Sequence, residues 1–460
     1  MPRVAVAVLC VALVVVSTIH QAVAGDLEPP KGAGPLPDLS KGAKSGAVVT
    51  AQHAHLYRMM LPPEVASMLE RGEFAFEAVA APHEPGRFVM PRSGLSVVSA
   101  IPSTGVLSDV GGGRAFLSPV FEPPRGISGD VVQSAYKVLW NAASVFWRYN
   151  SFAATSSVLI FKTAADPPHK LEFDVERLHP RKLGEVTGSL EPIFRERISA
   201  RKPAAIQMLS WLTLRFFGSG EDFLWAASPV INQIRQMTGS NRSDAIFTGL
   251  FSPDDLFVWS GKVELVEPSG LTLTQLLVPL LEAHETKVEV RDGCILRTFR
   301  GTEGVVLNHQ SGRFKGSSGW VPTNTIMALR SVWRMELTNR DPFSLDARQT
   351  LYVDRDSGMP VYRVVWDDAG RLRRVVLGIL RSVNKDGQPP EPILAGQVMM
   401  HANGTSRLVM TIDSFSTCSS YPAERSKVDF DPSTFVRFPT PAPVTQKKLE
   451  KRPDSEDSSD

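Results

Sequence analysis

The chain is poor in cysteine, in net charge and in long apolar runs, and each shortage excludes something. Three cysteines stand among 460 residues. With Cys10 inside the N-terminal apolar run, only Cys294 and Cys418 remain, enough for one disulfide, and spacing alone leaves open whether they meet. A net charge of +2 provides no basic track for nucleic acid, and a local group such as Arg371, Arg373 and Arg374 does not amount to one. Beyond the first residues no segment approaches the roughly 20 apolar residues of a membrane helix.

Motifs that carry covalent or metal chemistry are also scarce. His53-Ala54-His55 offers two imidazoles with no third ligand nearby, and His284-Glu285 lacks the second His of a zinc-protease helix. Asp354-Arg355-Asp356-Ser357-Gly358 has its Gly too early and no distal Glu for a calcium loop, so it reads as a hairpin turn. The pairs Asp254-Asp255 and Asp367-Asp368 are adjacent, which suits turns better than a shared acid/base dyad. Gly316-Ser317-Ser318-Gly319 lacks the strand-turn-helix context of a nucleophile elbow, and Gly111-Gly112-Gly113 is not followed by a phosphate-loop pattern. The expectation is a non-enzymatic protein with no cofactor and no metal.

The N-terminus carries an address. Arg3 precedes an apolar run from Val4 to Val16, and Ala22-Val23-Ala24 before Gly25 is a small-residue cleavage site, so residues 1–24 read as a secretory signal. Cys10 lacks the context of a lipidated cysteine. Residues 25–47, rich in Gly, Pro, Lys and Ser, read as a flexible lead-in, and residues 438–460 as a disordered tail. Between them, 48–437 reads as a single large domain.

Within that domain the pattern alternates. The spacing predicts strands over Thr155–Lys162, Lys170–Arg177, Ala205–Phe217, Val332–Thr338, Arg348–Val353, Val361–Trp366, Leu372–Leu380, Gln397–Ala402 and Leu408–Phe415. The turns Asp354 to Gly358 and Asp367-Asp368-Ala369-Gly370 make 332–380 an antiparallel meander. Helices are expected from Pro63 to Arg71, with Gly72 at the end, and from Gly129 to about Phe146. A further strand is expected at 254–267, with Phe257, Trp259, Val263 and Leu265 on one face and Ser260, Lys262 and Glu264 on the other. The fold class is mainly β, α+β.

The stretch from Asp222 to Glu267 carries a more particular signal: Asp222-Phe-Leu-Trp, Ser228-Pro229, Thr238-Gly-Ser-Asn-Arg-Ser-Asp244, Asp254-Asp255-Leu256, then Gly261-Lys262-Val263-Glu264. Together with Trp140-Asn141, the meander turns, and Val428-Asp-Phe-Asp-Pro432, this order resembles the periplasmic "outer membrane lipoprotein-sorting" family related to the LolA/LolB-like superfamily. The resemblance implies a large curved antiparallel sheet forming an unclosed half-barrel, with a few helices as lid or plug. It also implies a soluble periplasmic carrier that binds a lipid or another hydrophobic molecule and moves it between membranes. Such a carrier has an inner-membrane donor, such as a transporter of the resistance-nodulation-division kind, and an outer-membrane acceptor. Nothing in this reading calls for nucleic acid.

The candidate lipid-binding residues follow. Ile206, Met208, Leu212, Leu214 and Phe216 fall on one face of the expected 205–217 strand, and Phe257 and Trp259 on one face of the next, so that adaptable Met and aromatic side chains could line a cavity. The same greasy faces would also suit an ordinary core. Two rival functions remain at this point: a periplasmic lipid-modifying hydrolase, which needs a perturbed acid or a Ser/His/Asp cluster facing the cavity, and an outer-membrane structural or interaction protein with no small ligand.

Overall fold

The computed structural model describes residues 48–77, 107–110, 113–116, 130–148, 151–162, 168–179, 192–216, 220–229, 232–247, 250–281, 286–291, 293–299, 325–342, 344–355, 357–383, 391–402, 406–418 and 429–436. The expected signal, lead-in and tail, and the Gly316 to Gly319 loop, lie outside the described residues.

The N-terminal part holds β1 (Val48–Val49), α1 (Ala54–Tyr57), α2 (Pro63–Glu70) and β2 (Phe76–Glu77), followed by a hairpin of β3 (Leu107–Val110) and β4 (Gly113–Phe116). Helix α2 begins on Pro63 and stops before Gly72, whose φ of 74° a residue without Cβ adopts without strain. Helix α3 (Val131–Ala143) is capped by Asp130, whose carboxylate accepts from the Val132 and Gln133 amides at 2.9 and 3.1 Å. Its buried stripe of Ala135, Tyr136, Val138, Leu139 and Ala142 has helical spacing.

The remaining strands build one 15-stranded sheet. They are β5 (Ser151–Phe161), β6 (His169–Leu178), β7 (Phe194–Lys202), β8 (Ser210–Arg215), β9 (Phe223–Ser228), β10 (Gln233–Met237), β11 (Val266–Leu281), β12 (Thr286–Arg291), β13 (Cys294–Phe299), β14 (Thr325–Asn339), β15 (Arg348–Asp354), β16 (Pro360–Trp366), β17 (Leu372–Val383), β18 (Glu391–His401) and β19 (Arg407–Cys418). Along the main path their order is β10-β9-β8-β7-β6-β5-β19-β18-β17-β11-β14-β15-β16, with the β12–β13 hairpin joined to β19. Every pairing is antiparallel except a short parallel contact of Leu280 and Leu281 with Leu380 and Arg381. Strand β17 gives one edge to both β16 and the end of β11. Those strands therefore come round on themselves, while the sheet as a whole is not closed into a barrel.

Both faces of the curled part are covered, as alternation along β15 shows. Leu351 and Val353 pack with α3 and Trp259, while Tyr352 between them joins the other large cluster with Tyr362, Met60 and Leu61 and feels the charge of Glu64 on α2. Helices α2 and α3 thus lie on opposite faces. Cys294 and Cys418 sit opposite each other in the β13–β19 register and are joined by a disulfide.

Two strand expectations need correction. The strand expected at 205–217 begins only at Ser210: residues 204–206 form a 3-10 turn and Met208 takes a φ of 69°, so the alternation is broken before Leu212. The strand expected at 254–267 is absent until Val266. In its place lie two 3-10 turns and a bend in which Phe257 and Val258 take φ values of 56° and 70°. Apolar residues at every second position arose there because an irregular segment is buried, not because it is pleated.

Candidate functional site

The segment from Thr238 to Leu265, between β10 and β11, crosses one face of the sheet as a strap. Two consecutive non-glycine residues at positive φ, one of them β-branched, are strained by an order of 1–2 kcal/mol each, so the surroundings must hold them. The Val258 amide donates to Gln397 Oε1 at 2.7 Å, and Gln397 Nε2 returns a bond to the Asp255 carbonyl at 2.8 Å. A Cβ at Gly378 would stand 2.7 Å from Val258 Cγ2, so only glycine in β17 lets the strap come this close.

Buried ion pairs anchor the strap on both sides. Asp222, at the start of β9, accepts from Arg215 Nε at 2.9 Å, from Lys262 Nζ at 3.1 Å and from Arg242 Nη1. Burial alone would raise its pKa, but those cations hold it far below the usual carboxylate range. Arg242 also grips Asp254 through Nε at 2.5 Å and Nη2 at 3.0 Å. On the other side Asp255 meets Arg363 at 2.6 Å and Arg374 at 2.9 Å, and Asp346 joins the same two guanidiniums. Burial opposes the charge of Asp255, and Arg374, Arg363 and the Ser252 amide and hydroxyl overcome it. The residues that carry the family resemblance, namely Asp222, Arg242, Asp254, Asp255 and Lys262, are thus the fastenings of the strap. All five charges are paired, that of Asp255 with Arg363 and Arg374 and those of the other four among themselves.

Beside the strap a cleft opens between the end of α3, the bend at Phe257–Gly261 and the ends of β6 to β8. Its cavity volume is about 40 Å³, and it is lined by Trp140, Phe146, Phe194, Phe257 and Trp259, with Arg177, Arg215, His179, Ser260 and Glu264 among them. Phe146 packs with its ring tilted and its centroid 4.7 Å from that of Phe257, and the Phe152 ring stands edge-on at 5.6 Å from Phe257. The Phe194 ring lies between two cations, with Arg177 at 4.2 Å and Arg215 at 4.8 Å from its centroid. Both guanidiniums are also paired: Arg177 with Glu196 at 2.5 Å and the Ser260 hydroxyl at 2.9 Å, Arg215 with Asp222 and the Ser260 and Gly261 carbonyls. Burial, reinforced by the Arg177 charge, pushes His179 well below its ordinary value, so it is neutral at pH 7. At Gly261 a Cβ would stand 2.7 Å from Trp259 Nε1, so the missing side chain makes room for the indole.

Of the seven residues proposed from sequence, the structure brings two into this cleft, Phe257 and Trp259. Ile206 packs, partly buried, against the main core. Leu212 and Leu214 point to the opposite face of β8, where Phe430 and Phe435 cover them. Met208 is half-buried at the turn before β8, and Phe216 meets the exposed Phe223 ring at 5.3 Å. Trp140, Phe146 and Phe194 escaped the sequence reading: the first two lie within the expected helix, and β7 was not foreseen. Among the described residues no group of three His, Cys, Asp or Glu side chains could hold a metal, and no helix is long and apolar enough to cross a membrane.

No family model matches the chain, and no curated protein matches it. Among solved structures it is similar to a domain named for outer membrane lipoprotein sorting from Vibrio parahaemolyticus, at 13% identity over 65% of this chain and 96% of that one, with a TM-score of 0.41. A DUF1329 family protein from Desulfovibrio piger is similar at 14% identity over 66% and 99% of the two chains, with a TM-score of 0.43. A LolA superfamily protein from Nitrosomonas europaea is similar at 14% identity over 65% and 97%, with a TM-score of 0.35. With TM-scores below 0.5, these likenesses bear no functional weight, and the site must be judged on its own residues.

Proposed function

We propose that the protein is a non-enzymatic carrier that holds a lipid or another hydrophobic molecule in the strap cleft and passes it between membranes. One observation carries the reading: five aromatic side chains from three separate parts of the chain converge on an open cleft whose ionic groups are already paired. A cleft of this kind has apolar surface to offer and few polar groups left to bind, which favours a greasy ligand. The cavity itself is about 40 Å³, well below the roughly 300–1,000 Å³ common to small-ligand sites. The free space inside admits only a few water-sized spheres, so a chain enters as the rings and the strap move aside. In this reading residues 48–437 act as a single domain, exported to the periplasm behind the signal at 1–24, with a donor in the inner membrane and an acceptor in the outer one.

Trp140 and Trp259 supply the test. Brominated fatty acid added to the purified protein should quench tryptophan fluorescence, Trp259→Phe should remove much of that quenching, and native mass spectrometry of protein isolated from its host should find apolar adducts. Clean apoprotein together with unquenched emission would sink the proposal.

A further inference from the structure

Strand β19 shares one edge between two partners. Its first half, Arg407 to Thr411, pairs with β18, and its last part, Ser414 to Cys418, pairs with β13. Two strands cannot occupy one edge in one plane without diverging, so the sheet forks here. On the β18 side of the fork β17 comes to its end, with Arg381 opposite Ile393 of β18 and Leu281 of β11. From the β13 side Phe299 faces it, its ring centroid 4.5 Å from the Arg381 guanidinium carbon.

Arg381 differs from its neighbours in the fold. It is 1% exposed, and none of its three guanidinium nitrogens has a hydrogen-bond partner among the described residues. Arg177, Arg215, Arg242, Arg363 and Arg374 are comparably buried, and each meets a carboxylate. Burial pushes Arg381 down to about 10, which still leaves it a cation at neutral pH. An aromatic face compensates a buried cation only in part, and a guanidinium is built to hold an oxyanion through two parallel hydrogen bonds.

We propose that Arg381 is the counter-charge for an anionic ligand group, a carboxylate or phosphate oxyanion, that enters the fork between β13 and β17 with its apolar portion against Phe299 and Ile393. The apolar half of this proposal rests on the reading that the protein carries a hydrophobic molecule, with Phe299 and Ile393 outside the strap cleft as its contacts; the oxyanion half does not.

Three probes separate them: a dansylated fatty acid with a free carboxylate, its methyl ester, and inorganic phosphate, each measured on the wild-type chain and on Arg381→Met. The acid should bind wild type at least tenfold more tightly than the variant, the ester should bind both alike, and Arg381→Lys should recover part of the difference. If phosphate alone raises the wild-type melting temperature and not the variant's, the oxyanion is a free one, not a headgroup. Failure of wild type to bind either acid or ester would defeat the carrier reading while the phosphate comparison still tests Arg381. Acid and phosphate acting equally on wild type and Arg381→Met would overturn the proposal. So would an Arg381→Met variant that folds poorly, because loss of a buried cation that meets no carboxylate among the described residues should not destabilise the protein.

Discussion

Replacing Asp222 with Asn should release the strap. The carboxylate is 3% exposed and accepts from Arg215, Arg242 and Lys262, so the neutral amide leaves buried cations short of a counter-charge. Removing one member of a buried pair costs about 3–5 kcal/mol. Each cation here keeps another acceptor: Arg215 the Ser260 and Gly261 carbonyls, Arg242 the Asp254 carboxylate, and Lys262 the Gly220 carbonyl at 2.6 Å. The expected loss is therefore near the low end, about 3 kcal/mol. Urea denaturation should show the midpoint falling, and hydrogen exchange should show faster exchange concentrated over 238–265. Asp254→Asn, whose side chain is 16% exposed and which is held chiefly by Arg242, should cost less. A drop below about 1 kcal/mol for Asp222→Asn, or the same drop for both variants, would refute the hub role assigned to Asp222.

The same carboxylate gives a pH dependence. Its folded pKa is depressed, so its stabilisation is fully present above the ordinary unfolded value and is lost as pH falls below about 4; an acid titration of melting temperature should be steeper below pH 4 in wild type than in Asp222→Asn. His179 is depressed as well, so the folded state resists taking up its proton and stability should decline as pH drops from about 6.5; His179→Gln should flatten that part of the curve. Reduction of the Cys294–Cys418 bridge, which spans a sequence separation of 124, should cost up to about 5 kcal/mol by loop closure, read as a lower melting temperature in reductant. Leu212→Lys should cost several kcal/mol because the position is fully buried against Phe430 and Phe435, whereas Met208→Lys, half-exposed at a turn, should cost about 1 kcal/mol or less; comparable losses in urea would contradict the split of these residues between environments.

What could be read from the sequence depended on how local the cause was. The meander at β15 to β17 was legible because Asp354 to Gly358 and Asp367 to Gly370 are turns that short-range chemistry specifies, and Gly358 and Gly370 do adopt φ values of 70° and 74°. Helix α2 was legible from Pro63 and Gly72. Strand β11 was hidden by Pro268, Gly270 and Pro279, which a long strand tolerates only where irregularity or a free edge absorbs them, and the register indeed shifts at Pro268 to Gly270. The strap was misread because burial from above and below imposes apolar residues without any period, and only tertiary partners such as Gln397 and Gly378 reveal its shape. The cleft was half legible for the same reason: Phe257 and Trp259 lie on the motif, but Phe194 is recruited by the register of β7 against β8, which no local pattern announces.

The position of β19 has a consequence for the order of assembly. The strands β5 to β10 form a continuous meander, yet on the main path they reach the rest of the sheet only through β19, the last strand among the described residues. The contact is very distant in sequence: Ser157 on β5 bonds Asp413 on β19 across 256 positions. A chain emerging from its N-terminus must therefore hold β5 as an open edge until its final strand arrives. Open edges recruit other strands, and long-range pairing is slow to form. A chain in which β19 has not yet docked thus keeps an unsatisfied edge at β5, and truncations that remove β19 should yield aggregation rather than a smaller folded unit.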